Sequence, residues 1–268
     1  MIYGELTSPQ LAKIARRTVA VLPIAAIEQH GDHLPVLTDT AIAEELGRLV
    51  EKGLPRKIVL LPVLWCGSSH HHKGFPGALS LRSETYVEVL IDLVESLIET
   101  GFQRIFLLNC HGGNQTPFAE ALFRLNLKYR KKDEPWIVAA SYWNLASTEL
   151  AEQGFMETSR LSHACEYETS LMMALRMDWI GPSPRAKIRL NNSPKNSRFY
   201  DPSGIRPSQV VIAKTFDQLS SNGALGSPER ASAEKGEKLF ALVNKVLIEF
   251  LEEFSTWKRQ APSKTRKT

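Results

Sequence analysis

The chain has 268 residues, 43% hydrophobic and 23% charged, a composition that suits one large α/β domain or two small ones. No run of about 18 or more apolar residues offers a membrane span, and MIYGELTSPQLAKIARR lacks the charged start and apolar core of a secretory signal. The formal charge of +4 is local: Lys258, Arg259, Lys264, Arg266 and Lys267 leave the remainder near −1, which speaks for a solvated basic tail and against nucleic-acid binding by the folded part.

TVAVLPIAA, Thr18 to Ala26, reads as a β-strand. It runs into IEQHGDHLPVLTD, which places Glu28, His30, Asp32, His33 and Asp39 in thirteen residues. A helix is expected over Thr40 to Leu49, and KIVLLPVLW reads as a second strand. The run His70 to His72 precedes KGFPGALSL; in a loop it either binds metal weakly or is merely tolerated. Ser83 offers a cap to a helix through YVEVLIDLVESLIET, closed by Gly101. RIFLLNC is a third strand, continuous and apolar as a strand covered on both faces should be. NCHGGNQ follows, then a helix over Thr116 to Tyr129 and a fourth strand in WIVAASYW. SHACEYETSLMMAL carries His163, Glu166 and Glu168 ahead of an apolar helix. Gly181 to Ser227, rich in Pro, Asn and Ser, reads as a long surface excursion of the kind that covers active sites. A last helix is expected from Pro228 to Trp257. This alternation implies a mainly parallel sheet with helices on both faces. The expected organisation is one domain over residues 1–257 and a flexible basic tail over 258–268.

Glu28 and His30 are two apart, so in extended chain their side chains project to one side. Asp39 falls at the start of the next helix, where a carboxylate is electrostatically favoured. Glu, His and Asp together suit Zn²⁺, Mn²⁺ or Fe²⁺ rather than copper(I) or an iron–sulfur cluster. The competing reading is a polar turn with Asp39 as a helix cap. His111 directly follows the third strand, and Gly112 and Gly113 permit close backbone approach. Ligands of open α/β sheets gather beyond the carboxyl ends of the strands, where both segments would sit. HGGN could cradle phosphate, but it lacks the lysine of a phosphate loop and the dinucleotide glycine pattern. His163 with two acids reads as a ligand plus a proton-transfer group, and spacing does not decide which glutamate points inward.

All seven histidines lie in these four segments. The three cysteines, Cys66, Cys110 and Cys165, are odd in number and widely spaced, which argues for a reducing, cytoplasmic compartment. Cys110 or Cys165 with a neighbouring histidine would make a thiolate nucleophile. That reading leaves Glu28, His30 and Asp39 without a role, and cysteine is often simply buried.

The segments EQHGDHLPVLTD, GSSHHHKGFPGALSL, NCHGGN, HACEYETS and GSPERASAEKG, in this order over most of the chain, resemble the creatininase family. The resemblance implies a three-layer αβα fold, a hydrolytic site with two divalent metal ions (Zn, Mn or Fe), and a homo-oligomer, commonly a hexamer. By position, Glu28, Asp39 and His111 resemble the ligands of one metal. His30 and Asp39 resemble those of the other, with Asp39 bridging. His163 matches the proton-transferring histidine, and Glu168 the acidic site residue after it.

Gly113 stands where creatininase itself has a glutamate ligand of the second metal; Glu168, or else Glu166, is the candidate substitute. Gly112 replaces a substrate-facing tyrosine and Ser159 a tryptophan, while Trp143 matches the remaining aromatic, so Trp143, Gly112 and Gly113 are the expected substrate positions. Cys165 replaces a usual glycine, and His71 stands where many relatives have glutamate. The expected activity is hydrolysis of a non-peptide C–N bond in a small cyclic amide or formamide, and the replaced aromatics argue against creatinine itself. Two divalent ions would activate a water, and His163 would pass the proton to the leaving nitrogen. The other readings are a cysteine-dependent amidase and a non-catalytic metal-binding protein on the same fold.

Overall fold

The computed structural model describes residues 1–129, 135–182, 185–188, 194, 197–201 and 208–258. Strands β1 (Val19–Ile24), β2 (Ile58–Leu60), β3 (Arg104–Asn109) and β4 (Trp136–Ser141) form one sheet in the order β2-β1-β3-β4. Every pairing is parallel, and Val21 lies between Leu60 of β2 and Phe106 of β3. The helices, in chain order, are α1 (Ser8–Ile14), α2 (Thr38–Gly53), α3 (Ser83–Thr100), α4 (Gln115–Tyr129), α5 (Tyr142–Leu145), α6 (Ser147–Glu152), α7 (Glu166–Arg176), α8 (Phe216–Leu219) and α9 (Ala233–Thr256).

Side chains alternate along a strand, so a sheet of apolar strands needs cover on both faces. Val19 and Val21 join Phe106 and Leu108 in a buried cluster with Leu46 of α2, Leu171 of α7 and Val243 of α9. Ala20, Leu22 and Ile24 join Ile105 and Leu107 in a second cluster with Leu11 of α1, Leu90 of α3 and Leu125 of α4. The expected three-layer αβα architecture is the one observed.

The boundaries differ from expectation for local reasons. Helix α2 starts at Thr38 rather than Thr40, because the Thr38 hydroxyl donates to Pro35 O (2.7 Å) and Ala41 N to Leu37 O (2.9 Å). That puts Asp39 inside the first turn. Strand β2 stops at Leu60, two residues before Pro62, which has no N–H to donate. Beyond it, Leu61 N and Leu64 N still donate to Val21 O and Pro23 O at 2.9 Å. The Pro23 carbonyl therefore faces this irregular stretch, and its ring nitrogen, on the same side, forfeits no regular ladder bond. Arg82 rather than Ser83 is the cap residue of α3, whereas Gly101 closes it as expected, with φ +107.

The excursion after residue 181 departs most. Its end is not superficial: Ser220, Asn222, Ala224, Leu225 and Ser227 are buried. Gly223 O accepts from Gln29 Nε2 (3.2 Å), and Leu225 N donates to His163 O (2.8 Å). These partners lie far away in sequence, so no local pattern announces them. The last helix begins at Ala233, capped by the Ser232 hydroxyl, after a 3₁₀ turn over Pro228–Arg230. The tail expected over 258–268 lies, except for Lys258, outside the described residues. Among the described residues, no helix is long and apolar enough to cross a membrane.

Candidate metal centre

The carboxyl ends of the four strands converge on one site. The chain leaves β1 at Ile24 and delivers Glu28 and His30; it leaves β3 at Asn109 and delivers His111. The segment after β2 brings His71 and His72, and β4 runs into Trp143. Asp39 comes from the first turn of α2 and Glu168 from the first turn of α7. Side-chain amides staple these loops together. Asn114 donates to Ala25 O (3.0 Å) and accepts from Ser68 N (3.0 Å), while Asn109 donates to Ser141 Oγ (2.8 Å). The two asparagines of NCHGGN are thus structural, and Gly113 is packed against Ser68 O and the rings of His111 and His71. Gly112 borders the cavity beside Trp143.

Asp39 lies at the centre. Its Oδ1 is 3.1 Å from His30 Nε2, and its Oδ2 is 2.9 Å from His111 Nδ1. Glu28 Oε1 is 3.3 Å from His111 Nδ1, 3.2 Å from His72 Nε2 and 3.6 Å from His163 Nδ1. Glu168 Oε2 lies 3.9 Å from His30 Nε2. Donor atoms within 4.8 Å of one another form four overlapping groups: Glu28–His30–Asp39, His30–His163–Glu168, Glu28–His71–His111 and Glu28–His72–His163.

The fit to a metal can be tested on the rings themselves. His30 Nδ1 faces Glu28 O (3.1 Å), His111 Nε2 faces Ser68 O (3.1 Å), and His163 Nε2 faces Gln29 O (2.7 Å). A carbonyl only accepts, so each of these outer nitrogens carries the proton. The inner nitrogens of neutral rings then point lone pairs at carboxylate oxygens, which repels unless a cation lies between. Outer-nitrogen anchoring of this kind is how metal-ligating histidines are oriented. Among the described residues, the ion pairs of Glu28 and Asp39 are all with histidines. Burying these acids demands positive charge. The residues fit a pair of divalent ions.

Without ions, protons take that place. Burial disfavours a charged His30 ring, but Asp39, Glu168 and Glu28 outweigh it and hold the pKa up at about 9. His111 is likewise raised, burial being outweighed first by Glu28. Burial opposes ionisation of Asp39, yet His30 and His111 hold its carboxyl well below the usual range. Glu168 is pushed up to about 8 by burial, with Asp39 and Glu28 adding to the effect against the pull of His30. His163 is lowered, first by burial and then by His30, so its ring is neutral.

The choice left open by spacing is decided by orientation. Glu166 accepts from Glu157 N (3.0 Å), Thr158 N (2.7 Å) and Lys235 Nζ (2.6 Å) and plays no part in the cluster. Glu168, two residues on, faces it. Asp32 pairs with Lys187 at the surface, and His33 donates to or accepts from Thr169 Oγ1 at 3.0 Å, supporting α7. Sequence reasoning missed Gln29, whose amide donates to His72 Nδ1 (2.7 Å), and Ser69, whose hydroxyl donates to Glu28 Oε2 (2.5 Å). It also missed Phe216, stacked on His72 with centroids 4.0 Å apart. The only sequence signal for Gln29 was its place between two candidate ligands. The thiols of Cys110 and Cys165 are buried, and burial pushes both up, the latter to about 12. Neither is poised as a thiolate nucleophile.

Over residues 4–251 the chain matches the creatininase family model, described as creatinine amidohydrolase. It is 30% identical over 242 residues to the mycofactocin precursor peptide peptidase of Mycolicibacterium smegmatis, covering 89% of this chain and 85% of that one. It is also 30% identical over 254 residues to creatinine amidohydrolase of Pseudomonas putida, covering 88% and 90%. A solved creatininase structure described as the Mn form matches with TM-score 0.74 and 25% identity over 94% of this chain and 98% of that one. A Zn–Zn type creatininase mutant gives the same values. Fold, donor set and relatives together define a dinuclear metallohydrolase on a three-layer α/β scaffold. Within that class, the chain belongs to the creatininase family.

Proposed function

We propose that this protein hydrolyses the C–N bond of a small amide, a lactam-like ring or a formamide, at two divalent ions (Zn, Mn or Fe). Glu28, Asp39 and His111 hold one ion; His30, Asp39 and Glu168 hold the other. The observation that carries this reading is the two-sided use of Asp39, whose oxygens face different histidines. When bound, the ions supply Lewis acidity to the amide carbonyl and the attacking water.

The chain's own residues do the rest. His163 is anchored through Nε2 to Gln29 O and is neutral, so its inward Nδ1 can accept a proton and release it to the departing nitrogen. Glu168 is oriented by Ala164 N, which donates to its Oε2. Trp143, Gly112, Leu161 and Phe216 border a cavity of about 230 Å³ beside the ligands, a volume suited to a compact substrate.

An adjoining cavity of about 390 Å³ shares Trp143, Arg160 and Leu161 with the first. It favours a second reading, in which the scissile amide ends a short peptide lying across both. A screen of lactams, formamides, creatinine and short peptides against zinc- and manganese-loaded protein separates these readings. Turnover of a ring amide or formamide is expected; turnover of peptides alone would favour the second. No turnover of any amide by fully metal-loaded protein would leave a metal-binding protein without this activity.

A cytoplasmic homo-oligomer, the hexamer implied by the family resemblance, belongs to the same reading. The apolar Leu93, Phe123 and Leu127 left exposed on α3 and α4 support association, and the free cysteines support a reducing compartment. Sedimentation analysis reads the first directly.

A further inference from the structure

The three consecutive histidines after β2 have three different surroundings. The His70 ring turns to hydroxyls, 3.3 Å from Ser80 Oγ and from Ser83 Oγ. His72 is buried; it accepts from Gln29 at Nδ1 and faces Glu28 with Nε2, which makes it an orienting partner of that carboxylate. His71 lies between them in chain and differs from both. Its ring stacks on His111, with centroids 5.6 Å apart and an 18° angle between the planes. One of its nitrogens lies within 4.8 Å of donor atoms of both Glu28 and His111. It also borders the cavity.

Gly113 explains how the ring gets there. A Cβ at position 113 would stand 2.5 Å from His71 Cε1 and closer still to Ser68 O and His111 Nε2. Only a residue without a side chain leaves His71 its place. Glycine at 113 and histidine at 71 are therefore one arrangement, not two independent features.

Building on the two-ion reading above, we propose that His71 is a further metal ligand, completing with Glu28, His111 and the shared Asp39 the donor set of one ion. That set is two carboxylates, Asp39 being shared, and two imidazoles, a combination that suits zinc. The position shared by His30, Asp39 and Glu168 has more oxygen than nitrogen and suits manganese better. The two ion positions thus differ in chemistry, and His71 is the residue that makes them differ.

The test uses full-length protein stripped with a chelator and titrated with zinc against a chromophoric competitor. Wild type should take up two equivalents. His71→Ala should bind one of them about 100-fold more weakly, at least the loss that an outer-shell partner causes, with the other unchanged. Added imidazole should restore the lost affinity by entering the vacated space. His71→Gln, closer in shape, should show the same weakening without that rescue. In cobalt-loaded protein, the visible spectrum should change between wild type and His71→Ala, as loss of a nitrogen donor requires. If both variants unfold, the ring-nitrogen NMR resonance of His71 in wild type should still shift on zinc addition. Wild-type zinc affinity in folded His71→Ala, or an unmoved resonance in the wild type, overturns the proposal. Failure of the wild type to bind any zinc would instead overturn the two-ion reading beneath it.

Discussion

Asp39 concentrates the site's logic in one side chain. It touches a histidine from the loop after β1 with one oxygen and a histidine from the end of β3 with the other. Asp39→Ala should leave less than one tightly bound ion per chain by elemental analysis. Activity should fall by more than the roughly 100-fold seen when an outer-shell partner alone is lost. The rings make a second prediction, for metal-free protein. His30 is raised from its ordinary 6.5 to about 9, burial being outweighed by Asp39, Glu168 and Glu28. A raised folded-state pKa gives stability that is complete below the unfolded value and lost as pH rises through the folded one. Glu168, raised to about 8 chiefly by burial, acts in the same direction, because its proton must leave the folded state later than the unfolded one. The melting temperature of metal-free protein should therefore fall from pH 6.5 to 9, and the fall should be smaller with zinc bound. A flat profile in metal-free protein would contradict this account of the rings. At this scale residue types were legible in sequence but directions were not. EYE offered Glu166 and Glu168 equally; the start of α7 at Glu166 turns one to Lys235 and the other to His30.

The elements carry the site by where they end. β1 and β3 pair over five residues, from Ala20 with Ile105 to Ile24 with Asn109, and this fixes the height at which Glu28, His30 and His111 emerge. Phe106, fully buried at the middle of β3, packs against Phe250 of α9 with centroids 5.0 Å apart. Phe106→Ala should cost about 3–5 kcal/mol in chemical denaturation. Zinc stoichiometry in the folded fraction should stay at the wild-type value, since that ring belongs to the apolar cluster under α9. The strands and long helices were readable from apolar runs and helical periodicity because most of their stabilising contacts repeat along the element. Their ends were not. The early start of α2 depends on Pro35 and the early stop of β2 on Pro62, each a single local partner.

For the whole molecule, the question is which chemistry the fold protects. It buries Cys110 and Cys165 and leaves a cavity at the carboxylates and imidazoles. A chelator should therefore abolish activity and zinc or manganese restore it, while thiol alkylation of native protein should leave activity within about twofold, in keeping with thiols of raised pKa. Inactivation by alkylation at a buried cysteine, with metal content unchanged, would revive the thiolate mechanism. Zinc at 100 times its Kd should also stabilise the fold by about 2.7 kcal/mol, visible as a higher melting temperature.

The sequence by itself determined the kind of chemistry on offer: the types of candidate donor, their order along the chain, the parallel sheet and the family motifs. Those follow from residue identity and from patterns that repeat within a dozen positions. Only the tertiary structure decided which groups meet. It folded the excursion back so that Phe216 covers His72 and Gly223 receives Gln29. It chose Glu168 over Glu166, and it set His71 on Gly113 beside Glu28 and His111. Such contacts join residues from 40 to 194 positions apart, and contacts at that range arise from packing the three layers, which no local pattern records.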